Sequence, residues 1–267
     1  MIEDIKVAYY QRFPHWEDKQ RNFLDIEAEL KIALTGAGVD LLVLSEAFAT
    51  GFTDNIKEVS EPVEGCTFQW MKTIAAKYNT TVVGSVFVKE QDDVVNRMYW
   101  VKPEGEWGYY DKRHLFRLGT TEHELVTAGK DKGIFEVKGW KIRPFICYDL
   151  RFPVWFRNKY SVDGGFEYDL ALVVASWPSK RVRVWQKLLE ARAIENMCYV
   201  VGVNRIGEDV KEIKFSGASE VVNYNGEAVD MIPENEEKLS IATLSYEKLM
   251  VYRDRMSFHL DWDEYSM

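Results

Sequence analysis

The chain has 267 residues, 46% hydrophobic and 29% charged, enough apolar content for the core of one large domain or two small ones. The formal net charge is −9 and the Lys and Arg residues are scattered, which argues against nucleic acid and anionic membrane as partners. No apolar run approaches the length of a membrane span, and Met1-Ile-Glu-Asp-Ile-Lys carries acids where a signal peptide would be basic and then apolar.

Three cysteines (Cys66, Cys147, Cys198), odd in number and far apart, make no disulfide framework and suit a reducing cytoplasm. The four histidines (His15, His114, His123, His259) include no pair at ligand spacing and there is no Cys-x-x-Cys. Neither a metal nor a cofactor is therefore expected. No linker, repeat or low-complexity tract interrupts the sequence, which favours a single domain over residues 1–267.

In chain order, Ile5-Lys-Val-Ala-Tyr-Tyr10 reads as a strand. Phe23, Ile26, Leu30 and Ala33 then predict a helix from Glu17 to Leu34, closed by Gly36 and Gly38. Val39 to Ser45 is almost continuously apolar, as a strand covered on both faces would be. It ends on Glu46, which is either a functional acid or an ordinary N-cap or surface residue. A second amphipathic helix is predicted over Thr67 to Tyr78, followed by strands over residues 81–88 and 94–101. Trp107 to Tyr110 leads into Asp111-Lys112-Arg113-His114-Leu115-Phe116-Arg117, a basic run whose aromatic flanks would turn some side chains inward. Gly119 to Gly129 is a polar connector with Glu122 and Glu124, of the length that functional loops have.

Phe145-Ile146 runs into Cys147, and the pattern changes abruptly to Tyr148-Asp-Leu-Arg151, with Pro153 opening a short helix to Tyr160. A strand ending in a sharp turn can hold a thiol at the rim of a sheet, the next backbone N–H facing whatever the sulfur attacks. A small core residue is the other reading of Cys147. Residues 168–176 form a further buried strand before Trp177-Pro178, a long helix is predicted from about Val182 to Asn196, and residues 199–204 form a third doubly buried strand. The last quarter alternates strands (215–222, 227–232, 240–244) with turns, then a short helix and an aromatic, acidic tail from about Arg253.

This order predicts α/β architecture with helix-covered mixed sheets, not an uninterrupted parallel barrel. Three buried strands end on Glu46, Cys147 and Ser176-Trp177, and ligands of open α/β sheets bind beyond such strand ends. The chemistry is complementary: a thiol needs a base, a pocketed carboxylate supplies one, and an ammonium stabilises an oxyanion. No histidine shares the strand-end pattern, which weakens a Cys-His reading.

Leu41-Leu-Val-Leu-Ser-Glu46, Tyr110-Asp-Lys112-Arg-His-Leu-Phe116 and Phe145-Ile-Cys147-Tyr-Asp-Leu-Arg-Phe-Pro153 resemble, in order, the Glu, Lys and Cys segments of the nitrilase, or carbon–nitrogen hydrolase, superfamily. The resemblance runs along nearly the whole chain, and Glu122 falls where that family carries an accessory glutamate. Residues 111–117, Ser176-Trp-Pro178, residues 188–196 and Gly202-Val-Asn-Arg-Ile-Gly207 resemble the omega-amidase branch, which hydrolyses side-chain amides of 2-oxo acids such as 2-oxoglutaramate.

The resemblance implies a four-layer αββα sandwich that forms a homodimer, and a thioester mechanism on a small-molecule amide. In it Glu46 is the base, Cys147 the nucleophile, Lys112 and the Tyr148 backbone N–H stabilise the oxyanion, and Glu122 positions Lys112. For a substrate carboxylate, Arg181 and Arg183 are candidates, with Arg117 a third; each also fits an exposed charge. Trp177 and Phe52 read as pocket walls or plain core, Arg151 as a brace for the turn, and Cys66 and Cys198 as packing residues. Alternatives are an N-carbamoyl-amine amidohydrolase or short-chain aliphatic amidase of the same superfamily, and a catalytically silent binding module. The segment Phe258-His-Leu-Asp-Trp262 either meets a partner subunit or folds back.

Overall fold

Successive residues of the strand Ile5–Gln11 go to different cores: Ile5, Val7 and Tyr9 to one, Ala8 and Tyr10 to another. Leu41 and Val43 likewise separate from Leu42 and Leu44, and Val83 from Val82. Strands that give apolar side chains to both faces belong inside a sheet covered on both sides. In the computed structural model, which describes residues 2–263, that sheet has the order Lys238–Leu244, Ile5–Gln11, Leu41–Val43, Thr81–Glu90, Asp93–Val101, Trp107–Asp111. Ile5–Gln11, Leu41–Val43 and Thr81–Glu90 pair in parallel, and antiparallel partners flank them.

The second sheet repeats the plan in the order Ala228–Met231, Glu220–Val222, Tyr199–Asn204, Leu170–Ala175, Trp140–Ile146, Phe135–Val137. Its middle is again parallel and its flanks antiparallel. Val7, Val43 and Trp100 of the first sheet share one core with Val173 and Val201 of the second, so the sheets stack face to face. Helices Lys19–Ala33 and Cys66–Tyr78 cover the outside of the first with Ile26, Leu30, Phe68 and Met71. Helix Val182–Asn196 covers the second with Trp185, Leu189 and Ala193. The result is the expected four-layer αββα sandwich.

Local chemistry moved several boundaries. Asp18 caps the first helix by accepting the Arg21 N–H at 3.0 Å, so it runs Lys19–Ala33 instead of starting at Glu17. The strand expected over residues 215–222 is two, Lys214–Ser216 and Glu220–Val222, because Gly217 (φ 76°) and Ala218 (φ 56°) turn the chain between them. The short helix after Cys147 covers only Pro153–Phe156. The tail does not start at Arg253, which lies inside helix Tyr246–Met256 with its guanidinium buried against Asp169 Oδ1 at 2.5 Å. Beyond it, His259 packs on Tyr160 (centroids 4.3 Å) and Trp262 edges Phe166 (5.9 Å), so this segment folds back on its own chain. Residues 264–267 of that tail lie outside the described residues. No described helix is long and apolar enough to cross a membrane.

Candidate active site

The strand Leu41–Val43 lies between two parallel neighbours, and the chain leaving it turns sharply at Ala47 (φ 47°), whose N–H donates to Ser85 Oγ at 2.9 Å. That turn carries Glu46 into the space between the sheets, where it is 1% exposed. Its Oε2 accepts the N–H of Ser176, the residue after the middle strand of the second sheet, at 2.9 Å. Its Oε1 accepts Lys112 Nζ at 2.8 Å and Asn96 Nδ2 at 3.0 Å.

Lys112 follows the edge strand Trp107–Asp111, and its side chain has no exposed surface. Nζ donates to both oxygens of Glu122 as well, at 2.8 and 2.9 Å. Glu122 opens a single helical turn, Glu122–Leu125, inside the polar connector, and also accepts the Phe116 N–H at 2.7 Å and Asn96 Nδ2 at 3.2 Å. One ammonium therefore sits between two buried carboxylates, and Asn96 bridges the acids from behind.

Cys147 ends the strand Trp140–Ile146 in a left-handed conformation (φ 46°), strained for a residue with a Cβ, and opens a 3-10 turn over Cys147–Arg151. Asp149 holds the turn: its Oδ2 accepts the Ile146 N–H (3.0 Å) and the Tyr110 hydroxyl (2.7 Å), and its Oδ1 accepts the His114 N–H (2.9 Å). Tyr110 and His114 flank Lys112, so one carboxylate sets the Cys147 turn and the Lys112 loop together.

Burial, and then the charge of Glu46, push the Cys147 thiol well above its ordinary pKa, with Lys112 opposing them. Burial alone would lower Lys112, but Glu122 and Glu46 outweigh it and hold the ammonium charged. Burial pushes Glu122 up against the pull of Lys112, with Glu46 adding to the rise. Both Glu122 oxygens accept N–H donors, an arrangement that suits the carboxylate. With its pKa held high by burial, the sulfur rests as a thiol.

These groups meet in a cavity of about 230 Å³ with Cys147, Lys112, Glu46, Tyr148 and Ser176 in its lining. Phe52 and Trp177, which the sequence left open between pocket wall and plain core, are both in the lining, and Phe52 presents its ring 5.2 Å from Lys112 Nζ. Arg181 also lines the cavity, its guanidinium 5.6 Å from the Phe116 ring. Arg183 does not: two residues further on, it lies exposed on helix Val182–Asn196. Arg117 is exposed and likewise outside the lining. Arg151, expected to brace the turn, instead reaches the cavity over Trp177 at 4.7 Å. Cys66 is exposed at the start of its helix and is no packing residue, whereas Cys198 is fully buried. Sequence reading missed Asn96 and Asp149; the signal for Asn96 was a polar pair, Asn96-Arg97, in the middle of a largely apolar and aromatic strand.

The chain matches the carbon–nitrogen hydrolase family model over residues 6–254. It is 38% identical to the omega-amidase YafV of Yersinia enterocolitica over 99% of each chain. It is 37% identical to the 2-oxoglutaramate amidase of Bacillus subtilis, over 74% of this chain and 75% of that one. Among solved structures it is similar to XC1258 from Xanthomonas campestris, a CN-hydrolase superfamily protein with an arsenic adduct in its active site. Identity there is 39%, TM-score 0.95, and 99% of both chains is covered. Two stacked mixed sheets between helical layers, with a cavity at the strand ends, are thus a nitrilase-type fold. The chain belongs to the carbon–nitrogen hydrolase family.

Proposed function

We propose that this protein hydrolyses the carbon–nitrogen bond of a small linear amide, the omega-amide of a 2-oxo acid, through a thioester on Cys147. The observation that carries the reading is the buried Glu46–Lys112–Glu122 chain beside Cys147 at one cavity. Glu46 takes the thiol proton while the sulfur attacks the amide carbonyl. Lys112 Nζ and the Tyr148 N–H stabilise the oxyanion. As the tetrahedral adduct collapses, the carbon–nitrogen bond breaks and the proton on Glu46 goes to the leaving nitrogen, which departs as ammonia. Glu46 then takes a proton from water, the hydroxide adds to the thioester carbonyl, and the sulfur leaves as the thiol with a carboxylic acid product. Glu122 holds the ammonium in line throughout.

The substrate class is supported by the names of the similar relatives, an omega-amidase and a 2-oxoglutaramate amidase. It is also supported by the guanidinium groups of Arg151 and Arg181 at the cavity, each against an aromatic face that leaves its N–H edge available to a carboxylate. The test is ammonia release from 2-oxoglutaramate, an N-carbamoyl amino acid and a nitrile. The oxo-acid amide is expected to turn over fastest, and faster turnover of either of the others would overturn the assignment. Cys147→Ala is expected to abolish turnover with every substrate; parental release by that variant would sink the thioester mechanism.

A further inference from the structure

Three loops meet at the mouth of the cavity: residues 52–55 after the Glu46 turn, residues 118–120 before Glu122, and the hairpin tip 209–213. Asp54 joins them. Its Oδ1 accepts the Thr121 N–H and the Thr120 hydroxyl, both at 3.0 Å, and the Thr121 hydroxyl at 3.3 Å. Its Oδ2 pairs with Lys211 Nζ from the hairpin tip, and the same ammonium donates to Gly119 O at 3.0 Å. The tip is pre-shaped for this, because Asp209 Oδ1 accepts the N–H groups of Lys211 and Ile213 at 2.9 Å each. Behind the mouth, Thr120 Oγ1 accepts the Glu122 N–H at 3.2 Å. The Asp54 carboxylate is therefore two hydrogen bonds from the backbone of the residue that holds Lys112.

We propose that Asp54 is a positioning residue that couples closure of the cavity mouth, latched by Lys211, to the setting of Glu122 behind Lys112. Cys147 is only 9% exposed and shares its cavity with these loops, so their setting governs access to the sulfur. A latch must be weak enough to open. The Lys211 side chain is about half exposed, and ion pairs of that kind add little stability. The other half of the device is firmer: three donors on Asp54 Oδ1 fix the turn from which Glu122 starts. Burial would raise the Asp54 carboxyl, but Lys211 and the two threonines outweigh it and keep the group below the usual range, hence charged.

The latch is tested without any substrate, by the rate at which iodoacetamide alkylates Cys147 in the full chain, read on the Cys147 peptide by mass spectrometry. Lys211→Met is expected to alkylate about threefold to fivefold faster than the parent, the factor an exposed ion pair can supply. Lys211→Arg, which keeps the charge, stays at the parental rate. Asp54→Asn keeps the Oδ1 acceptor for both threonines while removing the charge. It should alkylate like Lys211→Met and lose less kcat than Asp54→Ala. Asp54→Ala loses both functions, and its kcat falls about tenfold or more at similar KM, because Glu122 is no longer fixed. Parental alkylation in a folded Lys211→Met protein overturns the latch, and an Asp54→Asn loss of kcat equal to that of Asp54→Ala overturns the positioning. The kinetic half rests on the amidase reading. Alkylation does not, so failure of that reading removes turnover from every variant and leaves the alkylation differences intact.

Discussion

Lys112 shows how much a single residue carries here. It lies between Glu46 and Glu122, both buried, so Lys112→Met leaves two buried carboxylates facing each other. Breaking such a pair costs roughly 3–5 kcal/mol, and on the proposed mechanism the same change removes an oxyanion donor worth about a hundredfold or more in rate. Urea unfolding and ammonia release are expected to fall together in this variant. Cys147 gives a pH signature. With its thiol pushed up by burial and by Glu46, alkylation should keep rising beyond pH 9, about the ordinary thiol value, without a plateau near neutrality. Glu220, away from the cavity, titrates for a separate reason: burial and then the nearby Glu190 raise it from 4.5 to about 7. Its folded pKa exceeds its unfolded one, so the stability it lends is complete below pH 4.5 and is lost as pH rises through about 7. Glu220→Gln should therefore match the parent in thermal unfolding at pH 4 and exceed it at pH 8, by on the order of 3 kcal/mol.

At the scale of elements, close approach between helix and sheet is what the second half depends on. Gly202 lies mid-strand under helix Val182–Asn196, and a Cβ there would lie 2.5 Å from Leu189 Cδ1 and 2.9 Å from Trp185. Gly202→Ala should lower stability by about 1–3 kcal/mol, measured as a shifted denaturant midpoint with an unchanged slope. The strands and helices of both halves were legible because burial on two faces leaves continuous apolar runs, as in residues 170–175 and 199–204, and one-sided burial leaves helical stripes. Glu46 and Cys147 were legible for the same reason, each being a polar or reactive group where such a run stops. For Arg181, Arg183 and Arg117 the sequence left two readings open, because exposure of a charged side chain depends on the angle at which a helix or loop leaves the sheet, which spacing does not encode. Asp149 went unread because its work is done through Tyr110 and His114, some 35 residues away in sequence.

For the molecule as a whole, the two halves are joined twice. The inner faces of the sheets share one core, and the strand Lys238–Leu244 leaves the second half to pair antiparallel with Ile5–Gln11 at the edge of the first sheet. Side chains reinforce that crossing. Gln11 Oε1 accepts the Ser219 N–H at 2.8 Å, while its Nε2 donates to Pro233 O at 2.8 Å and Glu236 O at 2.9 Å. A chain truncated after residue 237 is expected to lose cooperative unfolding and to sediment as aggregate, because its first strand then presents a bare hydrogen-bonding edge. The pairing of Ile5 with Leu244 also dictates a timetable. A nascent polypeptide cannot complete its opening sheet until Lys238–Leu244 has emerged from the ribosome, so assembly of Glu46's surroundings waits for that strand. Ribosome-stalled chains halted before residue 238 should accordingly remain protease-sensitive and bind chaperones, and release of the full length should end both.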